Sequence, residues 1–294
     1  MGHLTEEGKF NSTSYLLDAE FMKLKNTLGL YLIENEGVRI LIDTGESLGA
    51  KKLVKKLEIM NLLPIHKIFL THAHWDHIQA LPKLQKLMKT DVEVLAHQNA
   101  LEILENPEEM NEFFGFKVKP IENVTPLKEH DIIDLNGLKL TVIEFFGHTQ
   151  DSIAIYNEKT KNLIVGDAII DQINKKTYLP VLFGPKFEEK SLLATYKKLR
   201  ELKPKINSIS LAHYGTYTDQ DCSQLIDDVE NLYFKAKNIL INAYNENPDI
   251  HFITEKYHDE IIPDSPLFTK ETLMGLHWSI EQHIKTLKAI GFIK

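Results

Sequence analysis

Several absences narrow this sequence before any motif is considered. Cys222 is its only cysteine, so no intrachain disulfide can form. A thiolate-rich metal site is equally excluded, and a bound ion would be held by nitrogen and oxygen. Positive charge is in deficit, with 34 Lys and Arg against 42 Asp and Glu and a net charge of −8. A broad nucleic-acid footprint needs a basic surface, so no nucleic-acid partner is expected. No apolar run approaches the length of a membrane span, so no membrane partner is expected. Met1 to Phe10 is polar and lacks a signal-like apolar core, which makes the cytoplasm the expected location. Neither a Walker-type phosphate loop nor a Ser-His-Asp pattern is present.

What is present is an ordinary globular composition, 43% hydrophobic over 294 residues, enough for a large core in one domain or two. One stretch organises it. The apolar run Ile68-Phe69-Leu70 reads as a buried strand. His72, His74, Asp76 and His77 follow at once, and Ile78, Leu81, Leu84 and Leu87 then recur at helical spacing. The cluster therefore sits where a strand's carboxyl end meets a helix's amino end, the usual place for chemistry in α/β sheets. His72 and His74 are two apart and project to one side of extended chain. Imidazole suits Zn, Fe, Ni or Cu. One mononuclear site would struggle to take all four side chains, and two neighbouring sites would divide them.

The surrounding order is layered. Leu28 to Ile33 and Val38 to Ile42 read as a hairpin, Leu53 to Met60 as an amphipathic helix, and Val92 to Ala96 as a short strand. Gln98 to Pro120 is rich in glutamate and carries Phe113, Phe114 and Phe116. It reads more simply as a surface helix than as a lid over the site. A run of short strands with hairpin turns follows, and it is largely antiparallel. From about Thr218 the periodicity is helical, with Leu225 to Leu240 and Leu273 to Leu287 as two amphipathic helices. Residues 1–217 are expected to form a catalytic domain and 218–294 a helical extension. That extension could cap a pocket or pair two copies as a homodimer.

A buried strand repeatedly ends in a His or an acid: Asp43, the His72 cluster, Asp167 and His213. His148 adds a Gly-His-Thr turn between strands. Each alone is weak, and together they point to one convergent site. The ordered set Asp43, His72-x-His74-x-Asp76-His77, His148, Asp167 and His213 resembles the metallo-β-lactamase superfamily in all five of its motifs. The resemblance implies a four-layer αβ/βα sandwich of two mixed sheets with the helical extension appended. It implies two divalent metal ions, most simply Zn, with Fe or Mn as alternatives. His72, His74 and His148 would bind the first, Asp76, His77 and His213 the second, and Asp167 both. Asp43 would orient ligands. Asp76 would also be catalytic, moving a proton to the leaving group.

The implied reaction is hydrolysis of a small-molecule ester, thioester or lactone by a hydroxide shared between the metals. Phosphodiester or phosphotriester cleavage at the same site, or an iron persulfide dioxygenase, is the alternative. Departures from subfamily patterns refine this. Asp167 argues against antibiotic hydrolysis, since β-lactamases proper typically lack a bridging Asp. Ala168 to Ile173 lacks the Arg- and Gly-rich segment of glyoxalase II and the dioxygenases. The tyrosine that lactonases place three residues beyond the bridging Asp is Ile170 here, with Tyr178 or Tyr214 as possible substitutes. Trp75, Phe146, Phe183 and Tyr214 are candidates to line an apolar substrate pocket, although each also reads as core. Trp278 reads as packing rather than as a part of the site.

Overall fold

The computed structural model describes residues 2–90 and 92–294. Among them are two seven-stranded mixed sheets. In spatial order the first holds Gly8–Lys9, Ser14–Asp18, Gly29–Asn35, Val38–Ile42, Lys67–Phe69, Glu93–His97 and Val124–Leu127. The second holds His3–Leu4, Gly215–Thr218, Ser208–Leu211, Asn162–Ile164, Ile153–Asn157, Leu138–Glu144 and Ile132–Leu135.

Side-chain alternation explains why these strands stack into four layers. Leu16, Tyr31, Ile33, Ile40, Ile42 and Phe69 point to the other sheet, where they meet Leu140, Val142, Ile153 and Ile155. Their neighbours Leu17, Leu30, Leu32, Leu41 and Ile68 point the opposite way, into a second core under the helices Ala50–Ile59 and Leu81–Met88. Both faces are apolar, so a one-residue slip would exchange two cores. Full burial of one such side chain stabilises by about 1.5–3 kcal/mol.

The outer face of the second sheet is covered by Glu189–Leu202 and by the C-terminal helices Asp219–Glu246, Ile250–Ile261 and His277–Ala289. Leu225, Val229, Tyr233, Ile253 and Ile280 share one continuous core with Ile209 and Leu211 of the sheet. The helical segment is thus packed onto the sandwich rather than built around a core of its own. Among the described residues no helix is long and apolar enough to cross a membrane.

Two parallel pairs decide where the strand ends lie. Val38–Ile42 runs parallel to Lys67–Phe69, with Ile42 opposite Phe69. Asn162–Ile164 runs parallel to Ser208–Leu211, with Ile164 opposite Ser210. Parallel neighbours finish at the same edge. Asp43 and His72 therefore leave one sheet together, and Asp167 and His213 leave the other together.

Candidate metal centre

The predicted ligands fall into two groups, His72 with His74 and His148, and Asp76 with His77, Asp167 and His213. Within each group the candidate ligand atoms lie within 4.8 Å of one another. His148 Nε2 is 3.2 Å from His72 Nε2 and 2.9 Å from His74 Nδ1. Nitrogens bound tetrahedrally to one Zn at about 2.05 Å would stand about 3.3 Å apart, so this spacing suits three ligands of one ion. Asp76 Oδ2 lies 3.6 Å from His77 Nε2 and 3.5 Å from His213 Nε2.

Asp167 joins the groups. Its Oδ2 is 3.1 Å from His77 Nε2, 3.6 Å from His213 Nε2, 3.8 Å from His148 Nε2 and 3.9 Å from His72 Nε2. Its Oδ1 is buried with no hydrogen-bond partner. An orphaned buried carboxylate oxygen is costly. Such an atom, among imidazole nitrogens aimed at common points, fits a pair of divalent cations.

Backbone and side-chain acceptors set the imidazoles. His148 Nδ1 donates to Val181 O at 2.9 Å, and His213 Nδ1 donates to Thr27 O at 2.7 Å, leaving both Nε2 atoms facing the site. His77 Nδ1 donates to Asp43 Oδ2 at 2.8 Å. Thr71 also donates to Asp43, from its backbone N–H and from its hydroxyl, each at 2.8 Å. The same hydroxyl accepts from His72 Nδ1 at 3.1 Å. Asp43 thus touches the clusters only through the far side of His77 and through Thr71. It adopts a left-handed φ of 60°, which Asp tolerates better than most residues. Two glycines allow the close approaches nearby. A Cβ on Gly147 would come within 2.4 Å of Leu192 Cα, and one on Gly166 within 2.6 Å of Thr71 Oγ1.

Charge divides the groups. Burial, together with neighbouring imidazoles, pushes His72 and His74 well below the usual histidine range, and burial lowers His148 too. Burial also opposes charge on His77, but Asp167, Asp76 and Asp43 outweigh it and raise its pKa well above normal. The same contest at His213 is won by Asp167 and Asp76, which raise it to about 10. Burial resists ionisation of Asp167, yet His77 and His213 hold its carboxyl well below the usual range. The acidic group is therefore already organised to host positive charge.

A cavity of about 150 Å³ opens beside the clusters. Trp75, Phe183 and Leu179 line it, as do Phe21, Met22 and Leu24 from one loop and Phe268 and Trp278 from the C-terminal segment. Of the four aromatic pocket candidates, Trp75 and Phe183 line this cavity. Phe146 does not, because it packs edge-on against His97 at 5.2 Å, away from the cavity. Tyr214 is also misplaced by the sequence reading. It is fully buried between the two sheets, since the residue after His213 turns back into the sandwich. Neither Tyr214 nor Tyr178 lines the cavity, so neither stands in for the lactonase tyrosine there.

Two further expectations are corrected. Gln98 to Pro120 does reach the site: Phe114 contacts His74 edge-on at 5.0 Å and Phe116 stacks on Trp75 at 3.7 Å. Trp278 lines the cavity and meets Trp75, Phe116 and Phe183 with ring centres 5.8–6.5 Å apart. Asp171, a buried acid in the wall, had only one signal, a carboxylate inside the apolar run Ala168 to Ile173. A second cavity, of about 220 Å³, lies beyond His74 and Phe114, where Ile103, Met110 and Pro185 line it together with Asn99, Glu102, Glu109 and Lys186.

Known proteins resemble this chain to different extents. An acyl-coenzyme A thioesterase, MBLAC2, of Homo sapiens is 24% identical over 180 residues, covering 53% of this chain and 63% of that protein. The chain thus spans under two thirds of that relative's length. A metallo-beta-lactamase superfamily protein from Sulfolobus tokodaii superposes with a TM-score of 0.61 at 18% identity, covering 95% of this chain and 99% of the other. One from Thermus thermophilus gives 0.66 at 20% identity, with coverage of 96% and 94%. The model of the metallo-beta-lactamase superfamily matches residues 30–213, and this chain belongs to that superfamily.

Proposed function

We propose that the chain is a metal-dependent hydrolase of a short apolar acyl thioester, or of the related ester or lactone. The observation that carries this reading is Asp167 Oδ2, within 4 Å of imidazole nitrogens from both groups. His72, His74 and His148 would hold one divalent ion, Asp76, His77 and His213 the other, and Asp167 both. When bound, the ions supply Lewis acidity and lower the pKa of water toward neutrality. Nitrogen and carboxylate donors suit Zn first, and Fe or Mn as well.

The chain's own residues do the rest. Asp43 keeps His77 and, through Thr71, His72 in the tautomer that leaves Nε2 facing inward. Asp76 lines the cavity beside His213 and carries a proton from the attacking water to the leaving group. Trp75, Phe114, Phe183 and Trp278 exclude water and take the acyl chain. At roughly 30 Å³ of liquid volume per water-sized group, the cavity of about 150 Å³ admits about five such groups. The second cavity, beyond His74, sets Asn99, Glu102, Glu109 and Lys186 among apolar side chains, which suits a leaving group that carries polar substituents. The polar groups on that second side favour a thioester with a large thiol that carries polar groups, the substrate class named for the human relative.

Purified protein loaded in turn with Zn, Fe and Mn should be assayed against acyl thioesters, esters, lactones and phosphodiesters. Turnover of short acyl thioesters with two metals bound is expected. Turnover of phosphodiesters alone, or of nothing by the dimetal protein, defeats the reading.

A further inference from the structure

The C-terminal helix His277–Ala289 hides two polar side chains in its buried face. Ile280, Ile284 and Leu287 pack there as an amphipathic helix requires, and His283 and Thr286 are fully buried beside them. A buried polar group costs stability unless it is paired, so apolar residues would serve packing alone better. Both find partners on one segment. Thr286 Oγ1 accepts from Gly184 N at 2.9 Å while donating to Gln282 O at 2.9 Å. His283 Nε2 donates to Pro180 O at 2.9 Å, and its Nδ1 stands 2.5 Å from Ser279 O of its own helix.

The segment from Pro180 to Gly184 is irregular, and it runs along the first ligand group. Val181 O is the acceptor that sets His148 Nδ1. Gly184, at a φ of 87°, lies so close to His74 that a Cβ there would stand 3.3 Å from His74 Nε2. That nitrogen is the outer one, since His74 Nδ1 faces His148. The segment thus reaches two of the three ligands from behind, and the bonds from His283 and Thr286 hold its two ends. The residues before it are tied to the same C-terminal region. Tyr257 donates its hydroxyl to Tyr178 O at 2.9 Å, and the Thr177 and Ser265 hydroxyls are bonded at 2.6 Å. A ligand oriented from a loop is only as precise as whatever holds the loop.

We infer that Thr286, supported by His283, is a positioning residue of the first metal position. By fixing Gly184 and Pro180 it sets the Val181 carbonyl that orients His148 and keeps the backbone behind His74. The C-terminal helix is then part of the metal centre and not only a cover on the sheet. The inference rests on the ligand grouping of the hydrolase reading and not on its substrate. His77 and His213 are oriented instead by Asp43 and Thr27 O, so the second position should not feel the change.

The test measures zinc affinities by chelator competition, with His148→Ala identifying which affinity belongs to the first position. Thr286→Val keeps the shape and removes the acceptor. It is expected to weaken that affinity by about 10–100-fold and to leave the other within about 3-fold. His283→Leu should act in the same direction. Thr286→Ser keeps the hydroxyl and should bind zinc as wild type does. Ile284→Ala trims apolar packing on the same helix, and should lower the thermal midpoint without singling out either ion. Unchanged zinc affinity in Thr286→Val overturns the inference, as does an equal loss at both positions or the same selective loss in Ile284→Ala. Protein that holds both ions without turning over any substrate defeats the hydrolase reading alone. Wild type that binds no zinc, or a single ion that His148→Ala leaves in place, defeats both. Should His283→Leu fail to fold, Thr286→Val decides alone.

Discussion

The ligand edge and the cavity wall of this molecule are built by different means. The edge comes from strand ends whose pairing leaves little choice. Once Ile42 lies opposite Phe69 and Ile164 opposite Ser210, one sheet delivers Asp43 and His72 together and the other delivers Asp167 and His213 together, and the stacking of the sheets brings the two pairs to one rim. The wall comes from pieces with no such constraint: the loop at Phe21 to Leu24, Phe114, the hairpin at Asp171, Phe183, and the segment from Leu267 to Trp278. Backbone pairing fixes the metal chemistry, and loop packing sets what fits beside it. Such a division lets a fold keep its reaction while its substrate changes.

Substitutions on the two sides should separate these roles. The largest effect is expected from Asp167→Asn, which removes the carboxylate shared by both groups. Activity should fall by about 10³-fold or more, and metal content should drop below two ions per chain by elemental analysis. Retention of both ions and of turnover would break the distinction. Asp43→Ala should cost about 10–100-fold in metal affinity, measured by chelator competition, because His77 and Thr71 lose their shared acceptor. Trp278→Ala acts on the wall alone. It should raise KM for six-carbon thioesters by about 10-fold with metal content unchanged.

The smallest effect concerns pH in the metal-free protein. Burial opposes the His213 charge, but Asp167 and Asp76 hold its folded pKa at about 10, against about 6.5 when unfolded. The raised pKa means that its stabilisation is complete below pH about 6.5 and is lost as pH rises through about 10. The thermal midpoint of metal-free protein should fall across that window. His213→Gln should flatten the fall.

The edge was legible in the sequence because it depends on local signals: apolar runs of strand length, each ending in a His or an acid. The two sheets follow from the apolar run Ile40 to Ile42, buried on both faces, and from alternation in Leu138 to Val142, where Lys139 and Thr141 separate buried Leu138, Leu140 and Val142. The wall was less legible, because its members lie far apart along the chain and belong to elements with weak patterns. Val124–Leu127 carries Pro126, which suits only the sheet edge it occupies and hides it as a strand. Ile250–Ile261 mixes β-branched and aromatic residues, which blur a helical pattern. Trp278 looks like one more apolar residue on an amphipathic helix, and only tertiary packing turns it toward Trp75 and Phe183. Tyr214 shows the opposite error. Adjacency to a ligand is no guide to direction where the chain turns back into the core.

On the proposed reading, Asp167 joins two metal positions into one site. A crystal structure of zinc-loaded protein with anomalous scattering measured at the zinc edge tests it most directly. Two peaks about 3.5–4 Å apart are expected, one among His72, His74 and His148, the other among Asp76, His77 and His213, with Asp167 bound to both. A single peak, or two peaks with Asp167 bound to only one or neither, would contradict it.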